Sequence, residues 1–280
     1  MNLILQGLAT DRSTIERIAG MADAKRLIPL HSNAYRCEDV AWSPVLKEKI
    51  DAECFAAKLD GTFIESGRKL SDFKLVAMDM DSTLITIECI DEIADMQGLK
   101  PQVAEITEAA MRGEIEFRES LTRRVSLLKG LDASALQRVY DERLHLSPGA
   151  ENMLNAIKAA GLKTLLVSGG FTFFTDRMKT RLGLDFTHSN VLEIVDGKLT
   201  GKVLGGIVDA DEKKSTVERV CSELGITPEQ AIVMGDGAND LKMMDISGMS
   251  VAFRAKPVVR AQADVALNFV GLDGILPLFE

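Results

Sequence analysis

Between residue 149 and the C-terminus, short apolar runs alternate with amphipathic stretches, and few folds accommodate that order. A helical pattern over Ala150–Ala160 stops at Gly161, then the run Lys163–Val167 leads through Ser168-Gly169-Gly170 into a helical pattern over Thr172–Leu182. Lys213–Leu224, Ala231–Met234, the turn Gly235-Asp236-Gly237, Asp240–Ser247, Ser250–Ala252, Pro257–Ala263 and Val265–Leu267 continue the series. Apolar spacing near 3.6 residues marks the helices, and short apolar runs between turn residues mark buried strands. Strands alternating with helices imply a parallel sheet covered on both faces. Val191–Val195 and Leu199–Val203, joined by Asp196-Gly197, read as a hairpin.

The series begins earlier, at the run Leu75-Val76-Ala77-Met78, and is then interrupted. Ile90–Met111, Phe117–Leu128 and Asp132–Leu144 all carry helical patterns, so an inserted helical subdomain is expected at about 87–145. Residues 1–70 read as a separate small α/β unit: strand Leu3–Gln6, helix Asp11–Met21, strands Lys25–Pro29 and Ala34–Cys37, helix Ser43–Ala52 and strand Cys54–Lys58. That βαββαβ order suits a ferredoxin-like sheet. The expected fold is therefore α/β: a doubly wound parallel sheet over residues 71–280, with an inserted helical cap and a small N-terminal α/β domain.

The 280 residues are 46% hydrophobic and 27% charged, with a net charge of −9. Such a composition supports a sizeable core, and the acidic balance argues against nucleic acid as the main partner. A small anionic substrate stays open, because local cations can reverse the field in one cleft. The four cysteines show no metal-like spacing, and no run of 18 apolar residues exists. Met1–Gln6 has no basic leader and is short for a signal peptide, so a cytoplasmic enzyme is expected.

Three presumed strand ends carry polar residues: Asp79-Met80-Asp81-Ser82-Thr83, Ser168-Gly169-Gly170 and Asp236. Open α/β sheets place ligands at the carboxyl ends of their strands. Asp79 and Asp81, two apart, project to the same side. Paired carboxylates push their pKa values apart, which suits a nucleophile beside a general acid. Gly169 and Gly170 open a helix and let a backbone approach an anion closely. A phosphate monoester beside Asp79 and Asp236 needs positive charge. A divalent cation such as Mg²⁺ suits carboxylate, carbonyl and water ligands, and Lys213 or Lys214 is placed to add a point charge.

In this order, Asp79-Met80-Asp81-Ser82-Thr83, Ser168-Gly169-Gly170, Lys213 and Gly235-Asp236-Gly237-Ala238-Asn239-Asp240 resemble the four motifs of haloacid-dehalogenase-type phosphatases. Within that superfamily, Glu88–Ala94, Ala110–Gly113 and Phe117 to Leu128 resemble the phosphoserine phosphatase family. The resemblance implies Asp79 as nucleophile and Asp81 as general acid and base. It implies Mg²⁺ held by Asp79, the Asp81 backbone carbonyl and Asp236, with Asp240 behind them. Ser168, Gly169, Lys213 and Asn239 fall at the phosphate. Glu88 falls at the substrate ammonium and Arg124 at its carboxylate, with Arg123 an adjacent competitor, and Met111 and Phe117 fall around the substrate. The implied reaction is hydrolysis of O-phospho-L-serine through an aspartyl-phosphate, the last step of serine biosynthesis. The rival readings are a phosphatase or phosphotransferase for another small phosphomonoester, and a non-enzymatic phospho-acceptor like a receiver domain. The partner expected is a small molecule, with neither nucleic acid nor membrane, and residues 1–70 leave a homodimer, a serine sensor or a stabilising appendage open.

Overall fold

The computed structural model describes residues 1–111 and 114–280, and at Met111 the backbone alone. In chain order the elements are β1 (Asn2–Gly7), α1 (Arg12–Met21), β2 (Arg26–His31), β3 (Ala34–Glu38), α2 (Pro44–Ala56), β4 (Leu59–Ile64) and β5 (Leu75–Met78). Helices α3 (Cys89–Asp95), α4 (Lys100–Met111), α5 (Phe117–Leu127), α6 (Ser134–Glu142) and α7 (Ala150–Ala159) follow. Then come β6 (Lys163–Phe171), α8 (Thr172–Leu182), β7 (Phe186–Val195), β8 (Lys198–Leu204) and α9 (Ala210–Leu224). The chain ends with β9 (Ala231–Gly235), α10 (Leu241–Asp245), β10 (Met249–Phe253), α11 (Pro257–Arg260) and β11 (Val265–Leu267).

The chain divides into two compact units. Unit 1 comprises Met1–Val76, Pro148–Lys163 and Pro228–Glu280, and unit 2 comprises Ala77–Ser147 and Thr164–Thr227. In unit 1, β2-β3-β1-β4 form an antiparallel sheet in the order expected of a split βαβ arrangement. Its strands alternate. Leu3 and Leu5 pack with Ile15, Ile18, Ile50, Cys54 and Leu59 under the helices, whereas Gln6 points the other way and donates to the carbonyl of Gly274 at 2.7 Å. Asp60, also on that second face, accepts from the backbone N–H groups of Asn268, Phe269 and Val270 at 2.7, 3.0 and 3.0 Å. Asp11 and Ser43 cap α1 and α2 by accepting from the N–H groups of Thr14 and Leu46.

The expected strand at Cys54–Lys58 is helix instead. Helix α2 runs through Ala56 because Ile50 and Cys54, four apart, both face the core. Lys58 then turns at φ 56° into β4. The rest of unit 1 contributes parallel strands in the order β11-β10-β9.

Unit 2 carries β6-β7-β8 and the end of β5, with β6 and β7 parallel and β7 and β8 antiparallel. Asp196 and Gly197, at φ 50° and 73°, close the expected hairpin. Strand β7 starts five residues before the expected Val191, because the polar stretch Phe186–Asn190 pairs with β6. Among the described residues the helical insertion is four helices, with the pattern over Ile90–Met111 broken between α3 and α4, where Gly98 takes a left-handed φ of 68°. Its loop after α5 pairs with β8. Gly130 N donates to Leu199 O, Leu199 N to Leu131 O and Ala133 N to Gly197 O, each at 2.8 Å. Among the described residues no helix is long and apolar enough to cross a membrane.

Candidate active site

Strand β5 is buried along its whole length and delivers Asp79 at its carboxyl end. Asp79 Oδ1 accepts from its neighbour's N–H, that of Met80, at 2.7 Å and faces Lys213 Nζ at 2.9 Å. Lys213 is wholly buried, in the first turn of α9, whose N-cap Asp209 accepts from the N–H of Glu212. A buried ammonium needs an anionic partner. Lys214 lies 3.9 Å from Glu218 on the exposed side of the same helix, so of the two lysines Lys213 is the one at Asp79.

After Asp79 the chain makes one wide turn over Met80–Leu84, with Ser82 at φ 56°. That left-handed residue is not glycine, and it donates its hydroxyl to Glu88 Oε1 at 2.7 Å. Asp81, between them, has Oδ1 shut from solvent and without a hydrogen-bond partner. Burial pushes the Asp81 carboxyl up to about 8. The charge of Glu88 acts in the same direction, and hydrogen bonds from Cys89 and the charge of Lys213 oppose it.

In the same unit, Ser168-Gly169-Gly170 was expected to follow the strand and open a helix, but it lies within β6, which runs on to Phe171 with a register shift after Ser168, and α8 starts only at Thr172. Ser168 is buried and its hydroxyl accepts from the N–H of Gly170 at 2.9 Å. A Cβ on Gly170 would stand 3.0 Å from Asp81 Oδ2, and one on Gly169 would stand 3.1 Å from the Phe117 ring. A side chain at either position would press on these neighbours, which would have to give by a few tenths of an ångström. Phe117 opens α5, so the insertion reaches the glycine pair of β6 in its own unit. Arg124, further along α5, is half-buried with a partnerless Nε. Burial lowers its pKa, opposed by the charges of Asp91, Glu88 and Asp81. Arg123 turns the other way and pairs with exposed Glu119 at 2.5 Å. The Met111 side chain lies outside the described residues.

Three residues here escaped the sequence reading. Asn190 donates to Gly169 O at 2.7 Å and accepts from Val208 N at 2.9 Å, tying the glycine pair of β6 to the approach to α9. It sits in the polar stretch that lacks a strand pattern. Arg118 on α5 meets Asp209, the cap of α9, at 2.5 Å. Ser82 was visible only as part of the Asp79–Thr83 motif, with no signal for its bond to Glu88.

In unit 1, β9 ends in Gly235 and hands on to Asp236, which is half-buried. Asp240 is wholly buried, and its Oδ2 accepts from the N–H groups of Asp236 and Gly237, each at 3.1 Å. A Cβ on Gly235 would fall 2.3 Å from that oxygen. Asn239 sits between them in the same loop. The carboxylates of Asp79, Asp236 and Asp240 are each able to offer one oxygen to a metal ion.

Comparison with known proteins agrees with this chemistry. Residues 73–248 match the haloacid dehalogenase-like hydrolase family. A protein from Polaromonas sp. named phosphoserine phosphatase is 60% identical over 217 residues, covering 76% of this chain and 92% of that one. Among solved structures, a HAD-family hydrolase from Salmonella enterica superposes with a TM-score of 0.88 at 34% identity, covering 100% of this chain and 99% of that one. A probable phosphoserine phosphatase from Vibrio cholerae superposes with a TM-score of 0.84 at 36% identity, covering 99% of this chain and 85% of that one. The chain belongs to the haloacid dehalogenase-like hydrolases and, within them, to the phosphoserine phosphatase family.

Proposed function

We propose that the chain hydrolyses O-phospho-L-serine to L-serine and phosphate, as the last step of serine biosynthesis. The observation that carries this reading is the wholly buried Lys213 at 2.9 Å from Asp79, in the same unit as the raised Asp81 carboxyl. Asp79 attacks phosphorus in line and the phosphorus–oxygen bond to serine breaks, leaving an aspartyl-phosphate. Asp81, whose carboxyl is held above the usual range by burial, gives its proton to the departing serine oxygen. It then takes one from the water that attacks the aspartyl-phosphate. Lys213, the Ser168 hydroxyl and the Gly169 backbone hold the phosphoryl oxygens where charge sits in the transition state, with Asn239 in support.

Membership of the family implies a divalent metal. The oxygen-only set of Asp79, the Asp81 backbone carbonyl and Asp236 fits Mg²⁺, with Asp240 fixing the loop that carries Asp236. Bound there, Mg²⁺ offsets the negative charge of the phosphate and the acids.

Glu88 takes the substrate ammonium and Arg124 its carboxylate, with Met111 and Phe117 around the serine carbons. Residues 1–70 form an N-terminal α/β domain, and residues 71–280 form the phosphatase domain with a cap at 87–145. The enzyme works in the cytoplasm on a small molecule, without nucleic acid or membrane, and a homodimer is its candidate assembly. Phosphate release is the test, from O-phospho-L-serine, phosphothreonine and phosphoethanolamine, with Mg²⁺ and with EDTA. Turnover of phosphoserine well above the others, lost in EDTA and restored by Mg²⁺, supports the reading. A preference for phosphoethanolamine contradicts it.

A further inference from the structure

Helix α5 is held differently at its two ends. The C-terminal end is fixed to β8. Gly201, at φ 81°, lets β8 come so close that a Cβ there would stand 3.1 Å from Ser126 O. The loop after α5 adds the 2.8 Å backbone bonds of Gly130, Leu131 and Ala133 to the β7–β8 hairpin. Among the described residues the first turn of α5 has no backbone hydrogen bond to another element. There Phe117 lies against Gly169, and Arg118 Nε reaches Asp209 Oδ2 at 2.5 Å.

Asp209 serves two helices at once. Its Oδ1 accepts from the N–H of Glu212 at 3.0 Å and its carbonyl from the N–H of Lys213 at 2.9 Å, so it starts α9. Its Oδ2 goes to Arg118. Burial raises the Asp209 carboxyl, but the bonds from Glu212 and Arg118 outweigh it and hold the group below its ordinary range, so it stays charged. The Arg118 side chain is 59% exposed and that of Asp209 only 13%. A solvated cation thus rests on an anion fixed by a helix start. Such a contact sets a position and still opens readily.

Lifting this end of α5 takes Phe117 off Gly169 and swings the helix face that carries Arg124. We propose that Arg118 is a positioning residue for the reaction: its ion pair with Asp209 holds the N-terminal end of α5 at the start of α9, so that Phe117 and Arg124 stand where phosphoserine meets them, while the end fixed to β8 is the pivot. Arg118 itself touches neither the substrate nor the reacting atoms. The kinetic consequence rests on the phosphatase reading, whereas the hold on α5 does not.

Alkylation of a reporter thiol on the full chain tests the hold, and steady-state kinetics test its consequence. Ser120 lies on the covered side of α5, 1% exposed, and its hydroxyl makes no hydrogen bond, so Ser120→Cys sacrifices none. The rate at which iodoacetamide labels this thiol, followed by peptide mass spectrometry, should rise about three- to fivefold when Arg118→Gln is added, the scale of one part-exposed ion pair. An unchanged rate overturns the hold. In the chain with Ser120 intact, Arg118→Gln and Asp209→Asn should each lower kcat/KM for O-phospho-L-serine about three- to fivefold, Asn keeping the cap of α9. The double variant should be no worse than either single one, because both remove the same contact, and Arg118→Lys should recover most of the loss. Losses that multiply in the double variant, or an Arg118→Gln enzyme as active as the parent, overturn the positioning role. A parent chain that does not turn over phosphoserine overturns the phosphatase reading instead, and the labelling rate then decides the hold by itself.

Discussion

Lys213 Nζ lies 2.9 Å from Asp79 Oδ1, and no part of the lysine side chain reaches solvent. The pair joins the end of β5 to the first turn of α9, and each partner keeps the other's charge tolerable. Lys213→Met should lower kcat/KM for phosphoserine about 10²–10³-fold, the usual result of removing one preorganised positive group. Leaving the Asp79 charge buried without it should also cost about 3–5 kcal/mol of stability. Steady-state kinetics and urea unfolding check both, and a stable, active variant contradicts the role.

The raised Asp81 carboxyl gives a stability slope of definite sign. In the folded chain it holds its proton up to about 8, whereas an unfolded aspartate releases it near about 3.9. Its contribution is present in full below the unfolded value and is lost as pH rises through about 8. The EDTA-treated protein should therefore lose stability between these values, and Asp81→Asn should flatten that part of the profile in thermal melts. In turnover, the same substitution should cost about 10²–10⁴-fold.

Arg124 and Arg123 should separate cleanly. Arg124→Ala should raise KM for phosphoserine and leave a phosphate ester lacking a carboxylate unaffected. Arg123→Ala breaks only an exposed pair with Glu119, worth about 0–1 kcal/mol, and should change neither. Equal damage to both substrates in Arg124→Ala rules out a carboxylate clamp.

Asn190→Leu removes the donor to Gly169 O and the acceptor of Val208 N. Leaving buried backbone groups unpaired costs about 1–3 kcal/mol each. The expected outcome is a lower melting temperature together with a fall in kcat, since the glycine pair of β6 loses its tie to the segment before α9.

Gly170→Ala tests close approach. The new methyl would stand 3.0 Å from both Asp81 Oδ2 and Ser168 Oγ, so Asp81 must move. Activity should fall while circular dichroism stays unchanged. Full activity would mean that Asp81 tolerates displacement.

The alternation of strands and helices was legible because each buried strand is a short apolar run ended by a polar or glycine turn, as at Met78 to Asp79 and Met234 to Asp236. The motif residues were legible because their chemistry needs rare neighbours: two aspartates two apart, or adjacent glycines before a helix. The strand at Phe186–Asn190 was not, because its polar side chains face partners such as Gly169 and Val208 that no local pattern reveals. Strand β4 was displaced in the reading because Cys54 serves a helix face as well as it would a strand. Which of Lys213 and Lys214, or Arg123 and Arg124, turns inward depends on helix phase against the core, and adjacent identical residues carry no phase of their own.

The central claim is that Asp79 takes the phosphoryl group. Rapid acid quench of the enzyme with phosphoserine labelled in its phosphoryl group, followed by peptide mass spectrometry, measures it directly. The account predicts a transient acyl-phosphate on Asp79 that is absent in Asp79→Asn. Label on another residue, or turnover with no trapped phosphoenzyme, contradicts it.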